Sequence, residues 1–167
     1  LELSNGHRAI TDAGALRDLA ASLAEGVAVH RAEVARRLSV PVVVQFDEPL
    51  LPAALAGRIT GVTALSPVHP VDEVLAIGLY NDCVARLGGD VMLHCCAADL
   101  PWTMLQRSAI QAVSVDVAML GPDGLDGLGS FVDSGRTAVL GLLPGLAPDI
   151  RPSAEEVAAA AAAVTGR

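Results

Sequence analysis

The stretch VVVQFDEP at residues 42–49 gives the clearest indication of the fold. Its first five residues are rich in β-branched side chains, a composition typical of a buried strand in a parallel sheet. The acidic pair Asp47 and Glu48 ends this run, and Pro49 forces the chain out of the strand. We therefore predict a parallel strand over 42–46 with two carboxylates directly after it.

Three further apolar runs follow, at residues 91–94, 113–117 and 138–142. Helical patterns lie around and between the runs. Their start and stop signals are the N-cap candidates Asp12 and Asp99, glycines at 88–89 and 135, and a capping box opened by Ser153. Residues 52–70 are expected to be rich in loops. Four short strands separated by helices predict parallel β/α units.

Two architectures fit this alternation, an open doubly wound sheet and part of a barrel. No G-x-G-x-x-G follows any predicted strand, so the dinucleotide-binding form of the open sheet loses its main support. A complete barrel takes about 250 residues, and this chain has 167. The predicted fold is thus α/β, with parallel β/α units forming about half of a TIM (β/α)8 barrel. We expect residues 1–167 to be one partial barrel domain without the N-terminal half and the last strand or strands.

Composition excludes several classes of protein. With 52% apolar residues the chain can bury a core, and its net charge of −8 argues against a protein that neutralises nucleic-acid phosphates. No apolar stretch approaches the roughly 20 residues that cross a bilayer. Three cysteines without a disulfide-type spacing favour a reducing compartment. We expect a cytoplasmic protein with neither a nucleic-acid nor a membrane partner.

Reactive side chains lie at the predicted strand ends, where parallel β/α folds place their active sites. His94, Cys95 and Cys96 follow one strand, and Asp116 ends the next. Strand alternation sends His94 and Cys96 to one face and Cys95 to the other. An imidazole, a thiolate and a carboxylate are ligands of zinc, whereas a thiolate makes magnesium or calcium unsuitable. The alternative is that both cysteines simply pack in the core.

The carboxylates Asp47 and Glu48 also allow two interpretations. In one, the aspartate caps a turn that the following proline completes. In the other, the pair lies after a buried strand and is matched by the amine of a ligand, because unpaired buried charges are costly. The second interpretation makes Asp47 and Glu48 substrate-binding residues.

These residues resemble the cobalamin-independent methionine synthases. In that family a (β/α)8 barrel uses zinc to activate the homocysteine thiol for methylation by methyltetrahydrofolate. The stretch 44–51 is similar to the family's Gln-x-Asp-Glu-Pro-Ala-Leu strand, which implies that Asp47 binds the amino group of homocysteine. The resemblance further implies that His94 and Cys96 are the His-x-Cys zinc pair. It places Asp116 where the family has a glutamate ligand.

The resemblance extends from Gly6 to Pro148, is closest to short actinobacterial-type members, and includes Gly141 at the next strand. The chain departs from the family at Leu146, where a histidine is expected, and in having Asp116 for glutamate. It also has no counterpart of the fourth zinc ligand, a cysteine on the last strand, or of the folate-binding half. We therefore expect weak or absent zinc occupancy and no activity from this chain alone.

Two other functions are compatible with the sequence. One keeps the barrel and the zinc but transfers methyl to another thiol, or takes it from a corrinoid protein. The other is a non-catalytic half barrel that self-associates through exposed strand edges, since unpaired edges invite pairing with a second copy.

Overall fold

The computed structural model describes residues 1–4, 6–63, 65, 67–143 and 152–166. Leu146 and Pro148, which entered the family comparison, lie outside the described residues. The strands are β1 (Val44–Asp47), β2 (Val91–Cys95), β3 (Ala112–Asp116) and β4 (Thr137–Gly141). The helices are α1 (Ala13–Leu38), α2 (Leu51–Leu55), α3 (Glu73–Leu87), α4 (Trp102–Arg107), α5 (Pro122–Asp133) and α6 (Ala154–Thr165), with short 3-10 turns at Ala9–Thr11 and Val117–Met119.

The four strands form one sheet in the order β1-β2-β3-β4, and every neighbouring pair is parallel. Each strand thus lies beside the next one along the chain, with helical segments between them. An open doubly wound sheet reverses its strand order at a switch point, whereas a barrel does not. The predicted α/β fold with parallel β/α units in barrel order is confirmed.

The sheet has two different faces. Leu93, Cys95, Val113 and Val115 are at most 1% exposed and form the core together with side chains of the helices. The alternate residues point the other way and are half-buried or exposed. We call this second surface the inner face, because it corresponds to the interior of a closed barrel; its members in the strands are Gln45, Asp47, Met92, His94, Ala112, Ser114, Asp116, Thr137, Val139 and Gly141.

The predicted helix ends are largely confirmed. The carboxylate of Asp12 accepts a hydrogen bond from the backbone N–H of Ala15 at the start of α1. The capping box at Ser153 and Glu156 opens α6. Gly88 ends α3 with φ of 60°, a left-handed conformation that glycine adopts without steric cost.

One local prediction is wrong, and another is incomplete. Asp99 does not cap α4, because the helix begins after Pro101 and leaves Asp99 two residues before the cap position; its carboxylate instead lies 3.6 Å from the Arg58 guanidinium. The stretch expected to be rich in loops also contains most of α2, which has Pro52 in its first turn. Five residues give too few apolar positions for a helical period to show in the sequence.

The first strand starts two residues later than predicted. Val44 pairs with Val91, the first residue of β2, so the residues before Val44 have no β2 residue to pair with. Within the described part of the chain, no helix is long and apolar enough to cross a membrane.

Candidate metal and substrate site

The carboxyl ends of the four strands meet at one edge of the sheet because all four run in the same direction. Asp47 on β1 pairs directly with His94 on β2, and His94 pairs with Ser114 on β3. Continuing the β2–β3 register by one residue sets Cys96 beside Asp116. Neighbouring strands lie about 4.8 Å apart, so the backbone brings four of the five predicted site residues, all except Glu48, to one small area.

The two adjacent cysteines occupy different environments. Cys95 is fully buried in the core between sheet and helices, whereas Cys96 is exposed. Burial raises the pKa of the Cys95 thiol, and the nearby Cys96 raises it further. A thiol that stays protonated is a poor metal ligand, since it is the thiolate that binds. Of these two adjacent cysteines, Cys96 is thus the one that solvent reaches.

Hydrogen bonds on the inner face orient two of the predicted site residues. The amide of Gln45 donates to Oδ1 of Asp47 over 2.6 Å, and Asp47 is exposed. Nδ1 of half-buried His94 lies 3.1 Å from Oγ of Ser114. In each case one atom of the site residue is held by a neighbouring side chain on the same face.

Asp116 is oriented by the backbone that follows it. Its Oδ1 accepts a hydrogen bond of 3.0 Å from the N–H of Ala118 and caps the short turn Val117–Met119. The side chain is half-buried at the end of β3, opposite Gly141. One carboxylate oxygen of Asp116 is thus engaged in capping this turn.

The donor types match zinc, but the side chains do not form a closed ligand set. His94, Cys96 and Asp116 provide the nitrogen, sulfur and oxygen donors that zinc accepts. Among the residues that the structure describes, no three histidine, cysteine, aspartate or glutamate side chains converge closely enough to hold an ion.

Glu48 faces the helices and not the inner face. Its carboxylate accepts a hydrogen bond from the Tyr80 hydroxyl of α3, and its backbone N–H donates to the His94 carbonyl over 2.8 Å. Burial raises the pKa of Glu48, the Tyr80 hydrogen bond opposes this, and the charge of Asp47 adds to the increase. The two carboxylates expected to act together are therefore on opposite sides of the sheet.

A cavity of about 660 Å³ lies on this helix side. Side chains of β1, α1, α2 and α3 line it, among them Phe46, Leu51, Tyr80 and Cys83, with Glu48 as its acidic group. Burial raises the pKa of both Tyr80 and Cys83. The cavity is separated from the inner face by the sheet itself.

Three residues that contact the predicted site residues were not predicted from the sequence: Gln45, Ser114 and Tyr80. Alternation along β1 and β3 would have placed Gln45 and Ser114 beside Asp47 and His94 once the register was known. No local signal indicates Tyr80, because it lies 32 residues after Glu48 in a different element.

The comparison with protein families gives a match along the whole chain. The model described as "Cobalamin-independent synthase, Catalytic domain" matches residues 1–167. No individual curated protein gave a significant match, and no solved structure did. The family match agrees with the parallel β/α order and with the reactive residues at the strand ends. The chain belongs to the catalytic-domain family of the cobalamin-independent methionine synthases, which are methyltransferases.

Proposed function

We propose that this chain forms part of a zinc-dependent methyltransferase that moves the methyl group of methyltetrahydrofolate to the thiol of homocysteine, a reaction of methionine biosynthesis. The observation that carries the proposal is the pairing of Asp47 with His94 on the inner face, with Cys96 and Asp116 at the same sheet edge. An amine-binding carboxylate thereby lies beside the donors suited to a thiol-activating metal.

His94, Cys96 and Asp116 would hold the zinc. A free thiol has a pKa of about 8.5 and is mostly protonated at neutral pH. Bound zinc would remove that proton and keep the substrate sulfur nucleophilic. Catalytic zinc sites combine three protein ligands with one position left for water or substrate. We expect weak zinc binding by this chain, because the resemblance calls for a fourth protein ligand, a cysteine, that these three donors do not include.

Asp47 would bind the amino group of the substrate. Gln45 fixes one of its carboxylate oxygens, and the side chain is exposed on the inner face. A substrate with an ammonium at one end and a thiol at the other can therefore extend from Asp47 towards His94 and Cys96. Homocysteine has this arrangement of groups. Glu48 would act indirectly, because its hydrogen bond to Tyr80 anchors the segment that carries Asp47.

The family assignment supports the choice of methyl donor. Because its members are described as cobalamin-independent, methyltetrahydrofolate is favoured over a corrinoid protein as the donor.

The three cysteines are free thiols, which is consistent with the proposed cytoplasmic location. We expect no turnover by this chain alone, because an inner face open to water would not exclude side reactions of the activated thiol.

Homocysteine binding tests the proposal, and Asp47 and Glu48 provide a matched pair of variants. With zinc in excess, calorimetry should detect homocysteine binding to the unmodified chain and to Glu48→Gln. Binding should be lost in Asp47→Asn, which removes the charge on the inner face. Equal binding by Asp47→Asn and the unmodified chain would overturn the substrate assignment.

A second candidate property is self-association. In the described part of the chain, β1 pairs only with β2 and β4 only with β3, so each has an unpaired edge. Val139 on β4 is also 44% exposed on the inner face. We propose that two copies associate through these surfaces. Size-exclusion chromatography with light scattering should show a dimer, and a monomer at every concentration would contradict this.

A further inference from the structure

The contact between His94 and Ser114 joins two central strands. Nδ1 of the imidazole lies 3.1 Å from the serine Oγ, and the two residues are direct partners in the β2–β3 register. Both side chains are half-buried on the inner face. Their backbones are fixed by parallel pairing on both sides, since His94 also pairs with Asp47 and Ser114 with Val139. This hydrogen bond is therefore built on rigid elements.

We infer that Ser114 is a positioning residue that makes Nε2 of His94 the metal-binding nitrogen. The Ser114 hydroxyl oxygen accepts a hydrogen bond from Nδ1–H, and Nε2 keeps its lone pair. The inference rests on the proposed role of His94 as a zinc ligand, but it concerns which ring nitrogen is free and what determines that choice.

The chemistry of a neutral imidazole makes this choice consequential. In a neutral imidazole one ring nitrogen carries the proton and the other has a free lone pair. A hydrogen-bond partner that keeps the proton on one nitrogen therefore leaves the lone pair on the other. If the Ser114 hydroxyl donated to Nδ1, the proton would be on Nε2 and that nitrogen could not bind a metal. Histidines that bind metals almost always donate their second N–H to a protein acceptor or water, which also orients the ring. Ser114 is the side chain placed to accept here.

The tautomer of His94 can be measured without any metal. The chain has only four histidines, so a His94→Gln variant identifies the ring signals in long-range proton–nitrogen NMR spectra. At a pH where the ring is neutral, the unmodified chain should show a protonated Nδ1. Ser114→Ala should lose this preference, whereas Ser114→Thr should keep it because the hydroxyl is retained.

Zinc affinity is the second readout. Removing an outer hydrogen-bond partner of a metal ligand typically weakens metal binding by about 10- to 100-fold. We expect a loss of that size for Ser114→Ala in a competition titration with a chelating dye, and restoration in Ser114→Thr. Thr137→Ala is the matched control. It removes a hydroxyl from the same face, at the amino end of β4, and should leave the affinity unchanged.

The two measurements distinguish failure of this inference from failure of the proposed function. A protonated Nε2 in the unmodified chain, or unchanged zinc affinity in Ser114→Ala, would overturn the role of Ser114 and leave the zinc site standing. If instead Nδ1 is protonated in a Ser114-dependent way but Cys96→Ser binds zinc as well as the unmodified chain, the positioning of His94 is supported and the proposed zinc site is overturned.

Discussion

Replacing Gly127 by alanine should destabilise the protein, although alanine is the better helix former. A Cβ at this position in α5 would lie 2.2 Å from Cδ1 and 2.3 Å from Cγ of Trp102. Ordinary carbon contacts are about 3.5–4.0 Å, so the indole must move by more than an ångström. Phe131 limits that movement, because its ring is fully buried with its centroid 6.2 Å from that of Trp102.

The expected magnitude follows from two opposing terms. Overpacking a well-filled site costs about 1–3 kcal/mol, whereas glycine to alanine inside a helix contributes about 1 kcal/mol of stability. Gly129 lies in the same helix, and a Cβ there would meet no atom within 4 Å. Gly129→Ala should therefore stabilise the protein. Both variants gain the same helix propensity from alanine, so this gain cancels when their unfolding free energies are compared. Gly127→Ala should be less stable than Gly129→Ala by about 1–3 kcal/mol.

Urea denaturation monitored by circular dichroism measures this difference directly. Equal unfolding free energies for Gly127→Ala and Gly129→Ala would refute the close packing of α4 on α5. Tryptophan fluorescence provides a local check, because the single indole of the chain is the group that must move.

Two further predictions concern groups that hold the helices to the sheet. Because burial raises the pKa of Glu48, the folded state binds its proton more readily than the unfolded state. This contribution to stability is present below the ordinary glutamate pKa and is lost as the pH rises through the raised pKa. Glu48→Gln, which retains an acceptor for the Tyr80 hydroxyl, should give a flatter plot of Tm against pH and a higher Tm at neutral pH; a Tm profile parallel to that of the unmodified chain would contradict this. The guanidinium of Arg136 donates to the carbonyls of Leu105, Gln106 and Ser108 at the end of α4. Because hydrogen bonds to charged groups contribute about 1.5–3 kcal/mol each, Arg136→Gln should lower the unfolding free energy in urea by about 2 kcal/mol or more. A loss below about 0.5 kcal/mol, the size expected of an ordinary surface substitution, would contradict the role of these bonds.

The sequence predicted those features of the fold that have local signals. Asp12 and Ser153 are recognisable as caps because a capping side chain bonds to a backbone N–H within three residues. Strand alternation separated buried Cys95 from exposed Cys96. The same alternation separates Asp47 from Glu48, and applying it there would have directed Glu48 to the helices.

Features that depend on distant partners could not be predicted in this way. The hydrogen bond between Glu48 and Tyr80 joins residues that no periodicity connects. The pairing of His94 with Ser114 requires the register of two strands 20 residues apart. The prediction that Asp99 caps α4 is wrong because Pro101 is itself the N-cap residue. A proline near the start of a helix does not determine the exact residue at which the helix begins.

Cobalt(II) binding tests the central claim most directly, namely that Cys96 and His94 at the end of β2 present metal donors on the inner face. Cobalt(II) can replace zinc as a spectroscopic probe, and a bound thiolate gives it a charge-transfer absorption in the near ultraviolet. Titration with excess cobalt should produce this absorption in the unmodified chain and in Cys95→Ala, and it should be absent in Cys96→Ser and weakened in His94→Gln. An absorption that survives Cys96→Ser but disappears in Cys95→Ala would contradict the account.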